Sequence, residues 1–373
     1  MKGSWTKYAA IGVLIALLAG CNSKPTDRGQ QYIDGKFAKP FGQVNQPHTI
    51  GRPVNGKDFM DQVAEIRKAS PRMYAGQIAT FGAIEEWLTN GGDTRQLSQY
   101  GLTSWQMEGM DHYGNVQFTG YYTPVIQARK TRQGEFQYPL YAMPSVKKSR
   151  RLPSRAQIYR GALSQQHIIA YSNSLMDNFF MDVQGSGYVD FGDGVATSFF
   201  GYAGKNGHPY RSVGKVLIDT GAVKQEEMSM QAIRHWASLR PHAEVQALLE
   251  ENPSFVFFKP EPFTPVQGAS AVPLIAKASV AADRALIPPG TVILAEVPLL
   301  DMNGKFNGSY ELRLMAALDV GGAIKGQHFD IYQGVGAQAG QMAGWLNHYG
   351  RVWVIKVAPG AGLSPYSMVQ NID

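Results

Sequence analysis

The feature that most constrains the fold is a series of strand-like segments in the last third of the chain: VPLIAKASVA, TVILAEVPLL, ELRLMAALDV, HFDIYQGV and RVWVIKVAP, separated by turns such as IPPG. Residues 311–319 alternate and then run apolar, the pattern of a strand entering a buried sheet. Strands of this length, crossed by glycine loops, are what a small closed barrel requires. With 373 residues, 44% of them hydrophobic, the chain has material for two domains with cores of their own.

The chemistry is read where two of these segments meet. The first ends at Asp319, and Gly321 and Gly322 follow as a turn or as bare backbone that a ligand can approach. In the next strand, residues 327–332, side chains alternate faces, so His328, Asp330 and Tyr332 point one way and Phe329 and Ile331 point into the core. Asp319 beside glycine is, by itself, ordinary turn chemistry. Asp330 differs, because it stands mid-strand among β-formers, where aspartate is depleted, and shares a face with an imidazole and a phenol.

The chain begins with a different pattern. Lys2 and Lys7 precede an apolar run over residues 8–20 that ends Leu18-Ala19-Gly20-Cys21, the layout of a secretory signal. A helix of that run reaches only about 20 Å, short of a hydrocarbon core of about 30 Å, so it reads as a cleaved signal and not a membrane span. Cys21, the only cysteine, sits at the processing point and resembles a bacterial lipobox, in which the thiol is lipidated and becomes the new N-terminus. Several acyl chains on one residue anchor stably where one is marginal. Asn22 in place of an aspartate implies, by the lipoprotein sorting pattern, the outer membrane and a periplasmic face. Residues 21–55 are polar and broken by Pro and Gly, a tether and surface loop. The net charge of +6 is mild and suits an anionic polymer such as cell wall. The one basic cluster, Lys147, Lys148, Arg150, Arg151 and Arg155, reads as a solvated loop, which leaves nucleic acid no role.

Next, Phe59, Val63 and Ile66 line one face of a helix that Pro71 stops, and Phe81, Ile84, Trp87 and Leu88 mark a second closed by Gly91-Gly92. Both are expected to cover a sheet. VQFTGYY, residues 116–122, reads as a strand. Residues 124–261 read as an inserted β-rich domain, with strands in TPVIQARK and EFQYPLYAM and a helix started by Ser154 and Gln157 as a capping box. A strand over 183–191 follows, in which Gly185 and Gly187 leave the backbone bare around Ser186. Helices are expected over 224–239 and 241–251, and a strand in SFVFF. Asp190 and Asp193 supply too few oxygens for calcium, and GYAGKNGHPYRS is not a nucleotide phosphate loop. Lys205, Tyr210 and Arg211 either meet carboxylates of a wall polymer or form plain surface.

LDVGGAIKGQHFDIYQG, Asp283 in SVAADRALIPPGT, QFTGYYTP, MDVQGSGYVDFGDG and YAGKNGHPYRSVGKVLI together resemble the membrane-bound lytic transglycosylase A family and its three-aspartate (3D) domain. The similarity covers essentially the whole chain to about residue 362. It implies a mainly β, α+β fold: a discontinuous double-psi β-barrel from residues 56–123 and 262–373, the insert at 124–261, and a glycan groove between them. It implies Asp330 as the catalytic residue, with Asp319 and Asp283 as supports whose charge and partial burial raise its pKa. Thr119, Gly120, Tyr121, Tyr122, Gln184, Ser186, Gly187, Lys205 and Arg211 would line the groove.

The implied reaction cleaves the MurNAc–GlcNAc β-1,4 bond of peptidoglycan and leaves a 1,6-anhydromuramoyl end, with Asp330 as acid and then base. No cofactor or metal is implied. The implied partners are glycan strands, the outer membrane through the lipid, and cell-wall enzyme complexes. Three other readings are a hydrolytic muramidase using a second carboxylate, a wall-binding or wall-loosening protein without catalysis, and a metal peptidase built on His328 and Asp330. Two residues two apart on one strand are a poor zinc set.

Overall fold

Helix Gly56–Ala69 buries Phe59, Val63 and Ile66, the face that the spacing predicts, together with Gln62. The computed structural model describes residues 41–358 apart from 45, 110–112, 146–150 and 262–263, so the signal, Cys21, most of the tether, three of the basic-loop residues and the tail lie outside the described residues. A second helix, Pro71–Thr89, starts earlier than expected: Pro71 is its first residue, and Ser70 alone separates it from Ala69, the last of its predecessor. Phe81, Ile84 and Trp87 of this helix join Phe59 and Ile66 in one core with Leu294, Leu314, Ala316, Leu318 and Trp353 from the sheet. The helices do cover a sheet. The Gln62 side chain also accepts from Ile275 N at 2.7 Å and donates to Pro273 O at 2.9 Å, tying the first helix to the chain that leads into the barrel's shortest strand.

The sheet closes on itself. Strand Val116–Thr123 pairs in parallel with His328–Val335 and antiparallel with Asn347–Gly350. His328–Val335 pairs with Ser279–Ala281, which runs parallel to Phe306–Asp319; that strand pairs with Val292–Leu300, and Val292–Leu300 with Val352–Val357. Asn347–Gly350 and Val352–Val357 are separated only by Arg351, so the two ends meet in one continuous stretch and the ring holds six strands. Two parallel pairs in such a ring are compatible with the double-psi crossing. Strands Leu102–Met107 and Phe41–Val44 extend outward from Val352–Val357. Alternation sorts the residues: Ile293, Ala295, Met315, Ala317, Phe329 and Ile331 fill the barrel, while Leu294, Leu314, Ala316 and Leu318 face the helices.

A second sheet of six strands uses the chain between Val125 and Glu261. Five helices accompany it, Arg155–Tyr159, Leu175–Gln184, Val213–Asp219, Met230–Ser238 and His242–Glu250. The capping box at Ser154 and Gln157 is present in both directions. The expected strand over 183–191 is shorter, because Val183 and Gln184 finish a helix that Gly185 caps at φ 82°, and strand begins only at Gly187. The expected helix over 224–239 breaks at Ser229, whose hydroxyl caps Ala232 N, leaving a single 3-10 turn before it.

Arg155 overturns the solvated-loop reading for its own position. It is 2% exposed, ion-paired with Asp182, and donates to Asn252 O at 3.0 Å and to the Tyr159 hydroxyl at 3.1 Å. Its guanidinium also lies 4.9 Å from the Phe179 ring centre and 5.2 Å from that of Phe255. A charge is tolerated there because its donors are satisfied.

Candidate active site

Three strands bring the carboxylates together. Ala281, at the end of Ser279–Ala281, is in register with Asp319 on its parallel side and with Asp330 on its antiparallel side. At about 4.8 Å per strand, the two backbones stand about 10 Å apart. On the other side of Asp330, Thr119 is its direct partner in the parallel pair, and Tyr121 is that of Tyr332. Gly120 lies between them because the strand must come against helix Gly336–Trp345: a Cβ there would stand 2.7 Å from Ala343 Cα.

Asp330 is half-buried and receives one hydrogen bond among the described residues, from the Thr119 hydroxyl to Oδ1 at 2.7 Å. The same hydroxyl lies 2.8 Å from His328 Nε2. Burial, with the Asp319 charge adding to it and the Thr119 hydrogen bond opposing, pushes the Asp330 carboxyl up to about 7. Burial pulls the His328 imidazole down to about 4, so the ring is neutral at neutral pH.

Asp319 takes three donors: Tyr121 OH at 3.0 Å, Ala269 N at 2.8 Å and Val320 N at 2.8 Å. Burial raises its pKa against these donors. Between the two, Asp319 is equipped to carry a negative charge and Asp330 to hold a proton. Burial and both carboxylates push the Tyr121 phenol well up, so it remains a donor. Asp283 does something else. Its carboxylate accepts from Gly326 N at 2.9 Å and Ala285 N at 3.1 Å, which lowers its pKa and clasps the turn just before His328. It is not among the groups that shift Asp330.

The expected groove residues separate. Thr119 and Tyr121 are at the site. Tyr122 is 6% exposed and packs under Ala339 and Ala343, and Gly120 is spacing for the same helix, so neither presents a side chain to a ligand. The Gln184 side chain accepts from Tyr122 N at 3.0 Å, joining the insert to the barrel strand. Gly187 is buried against Met181 and the Pro124 carbonyl, and Ser186 is partly exposed beside it. Phe199, at one end of strand Ser198–Lys205, packs on Tyr332, which leaves Lys205 about 20 Å further along the strand. Arg211 is ion-paired with Glu251 on the surface, in keeping with plain surface there.

The sequence names Tyr332 and Tyr121 near Asp330 but does not show the insert's share of the aromatic wall, Phe199 and Tyr188. Tyr121 and Tyr332 stand 5.2 Å apart by ring centres, and Phe199 and Tyr188 of the insert close the group. Tyr332 OH bonds Thr123 Oγ1 at 3.0 Å, and Tyr188 OH donates to Thr264 O at 3.2 Å. Only the aromatic spacing of the strand hinted at it. His328 and Asp330 are bridged by Thr119, and among the described residues no group of three or more His, Cys, Asp or Glu stands where a metal ion could be held.

Residues 117–259 match the family described as the MltA specific insert domain, and residues 278–356 match the 3D domain. The chain is 70% identical over 362 residues to the membrane-bound lytic murein transglycosylase A of Escherichia coli K12, covering 97% of this chain and 99% of that one. It is 45% identical to a homolog of the same name from Buchnera aphidicola, covering 90% and 92%. The solved structure of E. coli MltA with bound chitohexaose superposes with a TM-score of 0.86 at 70% identity, over 90% of this chain and all of that one. Family models, relatives and solved structures agree over most of the chain, and the chain belongs to the membrane-bound lytic murein transglycosylase A family.

Proposed function

We propose that the protein cleaves the MurNAc–GlcNAc β-1,4 bond of peptidoglycan without water, with Asp330 as the single acid and base. One observation carries this reading: Asp330, with a single hydrogen-bond donor among the described residues, is held near neutrality as an acid by burial, while Asp319 and Asp283 are occupied by three and two donors. A hydrolase of the usual kind needs a second carboxylate free to act as base or nucleophile.

In the proposed step the Asp330 carboxyl gives its proton to the glycosidic oxygen as the C1–O bond breaks. The resulting carboxylate takes the proton of the C6 hydroxyl while that oxygen bonds to C1. The leaving glycan gains one proton, the muramoyl end becomes a 1,6-anhydro ring, and Asp330 returns to its acid form. The nucleophile belongs to the same sugar, and its high effective molarity replaces an activated water. Tyr121 is proposed to meet the sugar, backed by the buried Tyr332 and Phe199, while Thr119 is held to Asp330; the bound chitohexaose of the E. coli relative supports glycan binding.

We divide the chain as a barrel from residues 56–123 and 262–373 and an insert at 124–261. Among the described residues no helix is long and apolar enough to cross a membrane, and the E. coli relative is named membrane-bound. Attachment is proposed through lipid on Cys21, with Asn22 directing the protein to the outer membrane.

The test is mass spectrometry of fragments released from sacculi in EDTA by wild type and Asp330→Ala. Fragments one water lighter than hydrolytic products, from wild type alone, are expected. Reducing ends would make it a hydrolase and direct attention to Asp319; binding without fragments would leave a wall-binding protein.

A further inference from the structure

Building on the transglycosylase reading, we infer that His328, acting through Thr119, is a positioning residue that keeps the reactive proton of Asp330 on Oδ2, the oxygen left free for the glycosidic bond. The argument begins with the hydroxyl. Thr119 has one hydrogen to give and two polar neighbours, His328 Nε2 at 2.8 Å and Asp330 Oδ1 at 2.7 Å. Only two arrangements satisfy the chain. In one, Nε2–H donates to the hydroxyl and the hydroxyl donates to Oδ1. In the other, Oδ1–H donates to the hydroxyl and the hydroxyl donates to a bare Nε2.

The two arrangements leave the acid with different protons. In the first, Oδ1 is an acceptor whether or not Asp330 is ionised, so an acid proton resides on Oδ2. In the second, the proton is spent inside the chain. The carboxylate that forms after each proton delivery accepts only, which suits the first arrangement and breaks the second. An imidazole fixed with hydrogen on Nε2 therefore serves both halves of the cycle with no tautomer change. Burial supports this by keeping the ring neutral, with a single N–H to place.

The surroundings leave the task to this pair. Asp319 and Tyr121 face the acid electrostatically but bond to each other at 3.0 Å. Tyr332, next on the same face, bonds Thr123. Strand Ser279–Ala281, packed on the other side, brings no titratable group. Among the described residues, Thr119 is the one hydrogen-bond donor on Asp330.

Two measurements test this. In wild-type protein, the 15N shifts of the His328 ring should show Nε2 protonated and Nδ1 bare on both sides of pH 7; the opposite tautomer overturns the inference. In kinetics on soluble peptidoglycan fragments, Thr119→Val should lower kcat about 10-fold with KM within about twofold, since a misdirected acid forfeits part of general acid catalysis. Its high-pH limb should also move upward, because the hydrogen bond favouring the carboxylate is lost. Thr119→Ser should restore both, and His328→Phe should lower kcat severalfold. Wild-type kcat and pH profile in Thr119→Val and His328→Phe, with anhydro products still formed, would overturn the inference alone. Absence of anhydro products from wild type would instead overturn the transglycosylase reading, and the tautomer would still be decided by the ring spectrum.

Discussion

Asp319 and Asp330 lie in register with the same residue, Ala281, on opposite sides of a three-residue strand. The interposed strand separates the two backbones while leaving Asp330 within the field of Asp319. Charge on Asp319 then makes ionisation of Asp330 harder.

The pH profile should reveal this arrangement. Asp330 must be protonated to begin the reaction, so kcat/KM should decline above about pH 7, where its carboxyl ionises. Asp319→Asn removes the repelling charge, eases ionisation and should move that limb to lower pH. Asp283→Asn should leave the limb where it is, since Asp283 is not among the groups acting on Asp330. Initial rates over pH 5–9 with the three proteins decide it, and an equal shift for both variants would count against the assignment.

Asp330→Asn should separate activity from stability. Loss of the acid should lower kcat at least about 100-fold. The fold should gain. A carboxyl with a raised folded pKa destabilises the native state increasingly as pH climbs from the unfolded value, about 3.9, towards 7. The amide carries no charge to bury, so the variant's advantage should be absent near pH 4, grow to of order 4 kcal/mol by pH 7 and then level off. Thermal unfolding at three pH values measures it.

Much of this was legible in the sequence, for identifiable reasons. Apolar spacing gave the buried face of the first helix, Phe59, Val63 and Ile66, because burial follows period 3.6. The rarity of a mid-strand aspartate singled out Asp330. Strand alternation divides residues into two faces but does not say which face another element covers. Hence the pattern does not show that the Tyr122 side chain packs under helix Gly336–Trp345 and that Gly120 comes against it. A motif carries no direction, so it does not say that Lys205 stands at the far end of strand Ser198–Lys205 from Phe199. Arg155 read as loop because its partner, Asp182, is 27 residues away and only the fold joins them.

Gly120 offers a test of the close approach. Alanine there would press a Cβ to 2.7 Å from Ala343 Cα and 3.1 Å from its carbonyl oxygen, contacts with backbone that cannot swing aside. Gly120→Ala should destabilise by about 1–3 kcal/mol, the usual range for overpacking. Gly322→Ala, where nothing lies within 4 Å, should be near neutral. Chemical denaturation of both distinguishes packing from a general intolerance of alanine for glycine.

The insert rests on a charge that its sequence does not advertise. Arg155→Met removes the partner of buried Asp182 and leaves that carboxylate facing Phe179 and Phe255 surroundings, which should destabilise by about 3–5 kcal/mol. Asp182 also accepts from Val256 N at 2.5 Å, so the loss should reach the strand that returns the chain to the barrel. The double variant Arg155→Met with Asp182→Leu removes both charges and should recover much of the stability, though the Val256 amide then loses its acceptor. A double-mutant cycle by thermal unfolding measures the coupling. Equal and additive losses would mean that the pair contributes packing alone. A strong rescue would mean that what the fold cannot tolerate is one of these charges without the other.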